Sequence, residues 1–212
     1  MSAGMIKRPW LWTVFAVTLL TIPAAATLVA RAHRRQLPSY GAVPTFNLTD
    51  QDGAPFQSRA LEGKVWVADF VFTSCSEACP RLTEAMAQLQ RYLTNRGADA
   101  RTRLVSFSVD PDRDTPARLK AYATGFLANP ALWTFLTGPA QDIQDAVVKG
   151  FKQGLEKEKS TENADGFTIL HGTKLVLVDG KGQIRGFYDA TDGVSMARLR
   201  EDLAELLEHG GV

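Results

Sequence analysis

Cys75 and Cys79 are the only cysteines of this chain, and three residues separate them in Phe70-Val-Phe-Thr-Ser-Cys-Ser-Glu-Ala-Cys-Pro80. An apolar run, Val65-Trp-Val-Ala-Asp-Phe-Val-Phe72, leads into the pair, and a stretch of helical period, Arg81 to Leu93, follows it. A cysteine pair in a strand-to-helix turn is a chemical device. The partial positive charge of a helix N-terminus favours thiolate over thiol. Thiolate is both the nucleophile of disulfide exchange and a soft ligand preferred by copper(I). A purely structural disulfide is the weaker reading, because so small a ring removes little chain entropy. Exchange sites normally space their cysteines by two residues. A third residue lengthens the ring and lets both sulfurs face one site, which favours joint ligation of one soft ion without excluding a disulfide.

Two thiolates hold copper(I) linearly, and a third ligand makes the site trigonal. The chain has three histidines. His33 lies in a basic stretch near the front and His209 three residues from the end, which leaves His171, in Phe167-Thr-Ile-Leu-His-Gly-Thr-Lys174, just ahead of an apolar run. Judged by its neighbours alone, His171 is an ordinary histidine at a strand start.

The elements that must position these residues are legible in outline. Val43 to Leu48 alternates like an edge strand, with Pro44 where a ladder donor is not missed, and Pro55 to Gln57 completes a hairpin across the Asp50–Gly53 turn. Buried strands are expected at 65–72 and 103–109. Asp110-Pro-Asp-Arg-Asp-Thr-Pro116 then breaks the chain, with Thr115 as N-cap and Pro116 at the first helical position of a helix to about Thr124. A short strand at 132–136 and a helix from Gly138-Pro139 through Phe151 follow. Lys152 to Gly166 is highly charged and lacks apolar periodicity, as a solvated insertion would. Thr173 to Val178 and Ile184 to Tyr188 form a hairpin about Asp179–Gly182, and an amphipathic helix spans about Ser195 to Glu208. Strands alternating with helices, then a hairpin and a last helix, predict a three-layer α/β domain with a central mixed sheet. Its reactive loop would stand at the C-terminal ends of parallel strands. This pattern resembles the thioredoxin fold. There the loop entering the 173–178 strand lies opposite the cysteine pair and usually carries a cis-proline. No proline follows Pro139, so His171 takes that place and becomes a candidate third ligand.

The front of the chain is of a different kind. Trp10 to Ala30 is a run of 21 uncharged residues, about the number a helix needs to span a bilayer. We expect residues 1–36 to form a membrane anchor with its juxtamembrane segment, and 37–212 the folded domain. Ala24-Ala25-Ala26 also resembles a signal-peptidase site, but an uncleaved single-pass anchor is the preferred reading. Flanking charge favours the opposite orientation (Lys7 and Arg8 before, Arg31, Arg34 and Arg35 after). A large folded domain, however, translocates largely regardless of charge, and a close cysteine pair suits an oxidising compartment. The expectation is therefore a cell inner-membrane protein whose C-terminal domain faces the periplasm. All 23 acidic residues and 19 of the 24 basic ones lie beyond position 36, which leaves that part at −4. No basic stripe with interleaved aromatics appears in it, so nucleic acid is not an expected partner.

Taken together, Phe72-Thr-Ser-Cys-Ser-Glu-Ala-Cys-Pro80, Ser108-Val-Asp-Pro-Asp-Arg-Asp-Thr-Pro116 and His171 ahead of Leu175-Val-Leu-Val-Asp179 resemble the SCO/SenC family over most of residues 43–207. Its members are membrane-anchored copper proteins that assist cytochrome c oxidase assembly. The resemblance implies that Cys75, Cys79 and His171 ligate copper, that Asp110 belongs to a supporting loop, and that the recipient is an oxidase subunit or another copper-accepting protein. Copper(I) is the implied ion, with copper(II) as a further state. Two departures stand out. Ser76 replaces the usual proline after the first cysteine, and Leu170 and Gly172 flank the histidine where the family usually has Asp and Ser. Loss of an acidic neighbour should weaken copper(II) more than copper(I).

A second reading makes Cys75 and Cys79 a redox dithiol, in a thiol–disulfide oxidoreductase that reduces a partner's metal-binding cysteines. It requires the same thiolates and not His171. A peroxidase would need Thr73 together with a proline three residues before it, where this chain has Phe70.

Overall fold

The structure is a computed structural model that describes residues 37–75, 78–152 and 173–209, together with Trp10 and Leu19. Backbone contacts separate residues 1–36 from the unit that begins at Leu37, and the fold is that of the second unit. The rest of the Trp10–Ala30 stretch lies outside the described residues, as does the expected insertion beyond Lys152. Among the described residues no helix is long and apolar enough to cross a membrane.

The strands are β1 (Asn47–Asp50), β2 (Pro55–Gln57), β3 (Val65–Val71), β4 (Thr102–Ser108), β5 (Trp133–Thr137), β6 (Lys174–Val178) and β7 (Ile184–Asp189). The helices are α1 (Ala78–Asn95), α2 (Pro116–Gly125), α3 (Ala140–Gln144), which runs on as a π-helical stretch (Asp145–Lys152), and α4 (Gly193–His209). They build one seven-stranded mixed sheet in the order β2-β1-β5-β4-β3-β6-β7. β3, β4 and β5 are parallel, with Val65 opposite Thr102 and Val71 opposite Ser108, whereas β1, β6 and β7 run antiparallel to their neighbours.

Parallel strands joined by crossing helices are covered on both faces, so their side chains are apolar on both. All seven residues of β3 are buried. Val65, Val67 and Val71 enter the core under α1, α2 and α4, with Leu82, Met86, Leu89, Leu119, Leu199 and Leu203. Trp66, Ala68 and Phe70 alternate to the other face, beneath α3, its π-helical continuation and the incoming 40–46 segment. The α/β mixed sheet between helical layers is thus the expected one.

Two elements differ from the sequence reading. The first strand begins at Asn47 rather than Val43, and it pairs with β5 as well as β2, so β2 is the edge. The backbone from Tyr40 to Val43 is occupied elsewhere. Tyr40 N–H donates to Ile184 O (2.9 Å), Ile184 N–H to Gly41 O (2.8 Å) and Val43 N–H to Gly182 O (2.9 Å). Pro55, which lacks a donor, stands on the true edge strand. The second difference is the π-helical turn ending α3. Gly150 packs against the Pro44 ring so closely that a Cβ would overlap Pro44 Cδ. The wider turn delivers Phe151 into an aromatic cluster 5.1 Å from Phe70, 5.8 Å from Phe107 and 6.2 Å from Trp66, centroid to centroid. Tertiary packing has overridden the α-helical period here.

Candidate metal and thiol site

β3 and β4 end side by side, and the loops that leave them carry the candidate chemistry. After β3, Cys75 N–H donates to Phe72 O at 3.1 Å and closes a turn. Cys79 then sits in the first turn of α1. Its amide donates to Cys75 Sγ at 3.3 Å, so the sulfur takes the place of an N-cap acceptor. An N–H aimed at sulfur, together with the helix dipole, stabilises negative charge there. Both cysteines are free thiols. They are not equivalent, since Cys75 is partly exposed and Cys79 is fully buried against the α1 core. Burial, above all, pushes the Cys79 thiol up to about 12, and the neighbouring Cys75 and Asp69 add to the rise. Alkylation of the reduced protein with limiting iodoacetamide should therefore modify Cys75 first, as peptide mass mapping would show; preferential labelling of Cys79 would contradict this order.

The loop after β4 meets the cysteine loop through Asp114, which is completely buried. Its carboxylate accepts from Thr73 N–H (3.1 and 3.3 Å), from the Thr73 hydroxyl (2.5 Å) and from the Ser108 hydroxyl (2.7 Å). Ser108 Oγ in turn accepts from Asp110 N–H at 3.2 Å. Asp110 itself turns to Arg113, 3.4 Å away. Thr115 caps α2 as expected, accepting from Arg118 N–H at 3.4 Å. The Thr73 hydroxyl, which a peroxidase would aim at its substrate, is committed to Asp114 instead.

Beneath the cysteines lies Asp69, on the α1 face of β3 and opposite Ser106 in register. It is fully buried, and neither carboxylate oxygen has a hydrogen bond. Burial pushes its pKa up to about 7, and the adjacent Ser106 hydroxyl offsets only part of the rise. Ser106 Oγ is itself held by Trp133 Nε1–H at 2.9 Å. On the α1 side, the Thr83 hydroxyl donates to Cys79 O (2.8 Å) and lies 2.7 Å from the Tyr122 hydroxyl, whose pKa burial also raises.

The sequence reading passed over Asp69 and Asp114. A single acid inside an otherwise apolar strand was the available signal for the first. For the second it is a further acid in the same loop as Asp110, which the family resemblance assigns to support of the site. His171, the expected third ligand, lies outside the described residues. Among the described residues no three His, Cys, Asp or Glu side chains converge as a metal cluster. What the described site offers is two sulfur donors at the mouth of a parallel sheet, one of them favoured as thiolate, which is the donor chemistry of a soft monovalent ion.

The fold and these motifs have close counterparts. The SCO1 protein homolog of Bacillus subtilis is 34% identical over 162 residues, which cover 76% of this chain and 80% of that protein. The structure of BsSco, a member of the Sco family of cytochrome c oxidase assembly proteins in which a disulfide switch was identified, superposes with a TM-score of 0.65 at 29% identity, over 81% of this chain and 95% of that one. Yeast Sco1 with copper bound shares the fold, with a TM-score of 0.56 at 24% identity over 80% and 95% of the two chains. The SCO1/SenC family model matches residues 35–208, which take in the folded unit from Leu37 nearly to the end of α4, and the chain belongs to that family.

Proposed function

We propose that the protein is a membrane-anchored copper metallochaperone that takes up one copper(I) ion through Cys75, Cys79 and His171 and delivers it to a cytochrome c oxidase subunit. The observation that carries this reading is the unequal thiol pair. Cys75 sits at the surface with an amide aimed at its sulfur, and Cys79 stands one helical turn deeper. Such a pair admits a soft ion from outside and can surrender it to a partner's thiolates through Cys75, the accessible ligand. Because the Cys79 thiol is held protonated, metal capture expels a proton and tightens as pH rises. The test is copper(I) competition against a chromophoric chelator. His171→Ala should weaken retention by at least about tenfold, a third ligand counting for no less than the outer partners that orient ligands; equal retention by wild type and variant would remove His171 from the site.

The same asymmetry favours a second activity, reduction of a partner disulfide. Cys75 thiolate attacks one partner sulfur and the other leaves as thiolate. Cys79, once deprotonated, then attacks Cys75 Sγ, which yields the Cys75–Cys79 disulfide and a reduced partner dithiol, two electrons having passed to the partner. His171→Ala should leave this exchange largely intact.

The anchor belongs to the same reading. The 21-residue Trp10–Ala30 run should hold the protein in the inner membrane with the domain on the periplasmic side. Protease added to spheroplasts should then release a soluble domain that starts near Leu37, whereas full-length protein in the soluble fraction would exclude the anchor.

A further inference from the structure

Asp114 belongs to a different loop from the cysteines, yet three of its four described side-chain hydrogen bonds tie that loop to theirs, the fourth coming from Ser108 at the end of β4. Four contacts converge on one buried carboxylate, and three of them come from Thr73, two residues before Cys75. A carboxylate so placed must have its hydrogen bonds satisfied, since an unpartnered buried acceptor is costly. Thr73 and Ser108 supply them all. The reverse dependence matters more. The Phe72–Cys75 turn is held by Cys75 N–H to Phe72 O, and Thr73, inside that turn, is fixed to Asp114 through both its backbone and its side chain. Val109 N–H to Val71 O (2.9 Å) ties the same two strand ends one step earlier.

We infer that Asp114 is a positioning residue for the thiol pair, clamping the Thr73 end of the cysteine turn so that Cys75 Sγ stays under the Cys79 amide. This rests on the copper reading for its consequence but not for its geometry. The clamp requires an acceptor on every lobe. In Asp114→Asn, the amide NH₂ would face donors on Thr73 or Ser108 and one lobe of the clamp would open. Thr73→Val removes the hydroxyl alone and keeps the branched shape. Thr73→Ser keeps the hydroxyl.

Three variants separate positioning from simple support. In the reduced full-length protein, Thr73→Val and Asp114→Asn should lose about 10- to 100-fold in copper(I) affinity, the range typical for partners that orient metal ligands, and Thr73→Ser should stay near wild type. The rate of Cys75 alkylation, measured without copper, should change in Thr73→Val and return in Thr73→Ser, because the sulfur's environment follows the turn. If Asp114→Asn fails to fold, the Thr73 pair alone decides. If folded Thr73→Val matches wild type in alkylation rate and in copper(I) affinity, Asp114 does not position the site and the inference is overturned. If wild-type protein holds no copper(I), the metallochaperone reading fails instead, and the metal-free alkylation rates decide the role of Asp114.

Discussion

Reduced protein in which serine replaces Cys75 or Cys79 should lose tight copper(I) binding altogether, a drop of several orders of magnitude in chelator competition. A serine hydroxyl is a hard donor that stays protonated near neutral pH, so it cannot stand in for thiolate toward a soft ion. The two substitutions should differ in their second effect. Cys75 is partly exposed, and Cys75→Ser should leave the thermal midpoint nearly unchanged. Cys79 has no exposed surface and packs in the α1 core, so Cys79→Ser puts a hydroxyl among apolar side chains and should cost about 1–3 kcal/mol. Cys79→Ala, which buries no polar group, should separate the two effects. It should fold better than the serine variant and bind copper(I) equally poorly. Retention of tight binding by Cys75→Ser would rule out the two-sulfur site.

Asp69→Asn should stabilise the metal-free reduced protein at alkaline pH and leave it nearly unchanged in mild acid. Burial raises the folded-state pKa of Asp69 to about 7, against about 3.9 in an unfolded chain. The folded protein therefore holds this proton more tightly than the unfolded one. The group does no harm below the unfolded value, and stability falls as pH rises from about 4 to 7, after which the ionised, unbonded carboxylate stays buried at full cost. The ceiling of that loss is about 4 kcal/mol. Urea denaturation near pH 4.5 and pH 8 should show wild type losing stability between the two and Asp69→Asn losing markedly less. Parallel behaviour of the two proteins would mean that Asp69 does not titrate in this interval. Its charge also raises the Cys79 pKa, so the same substitution should ease deprotonation of the buried thiol.

Strong local signals carried most of the architecture. Val65 to Val71 is buried on both faces and reads as a central strand from its composition alone. The Thr115–Pro116 pair marks the start of α2 because capping and a fixed φ are local effects. The Asp179–Gly182 turn marks the β6–β7 hairpin for the same reason. Where the reading slipped, distant contacts decide the conformation. Val43 to Phe46 alternates as a strand would, yet Val43 N–H donates to Gly182 O, more than a hundred residues away, and the Phe46 backbone groups pair with Ser58. The π-helical turn that seats Phe151 against Phe70 and Phe107 also sets Gly150 against the Pro44 ring, over a hundred residues earlier in the chain. The cysteine pair was legible because its residue types are rare and their spacing is chemical. Asp114 and Asp69 are marked only faintly, the one by its place in the Asp110 loop and the other by its apolar strand neighbours. What singles them out is a partner 41 residues away for one and the lack of any hydrogen bond for the other.

The stitching of Tyr40–Val43 onto the start of β7 also covers the first outward-facing backbone groups of that outer strand. β7 closes one side of the sheet, and an uncovered strand there would offer free N–H and C=O groups as a template for another chain. Gly41 and the backbone around it occupy the Ile184 positions first. On the opposite side the outermost strand has only three residues and begins with proline, which blunts it without help. The first residue of a soluble fragment thus decides whether the start of β7 is covered. A fragment that begins at Leu37 keeps this cover, whereas one that begins after Val43 bares the start of β7, loses the packing of Leu37, Tyr40 and Val43 against the core, and should aggregate more readily although both thiols are retained.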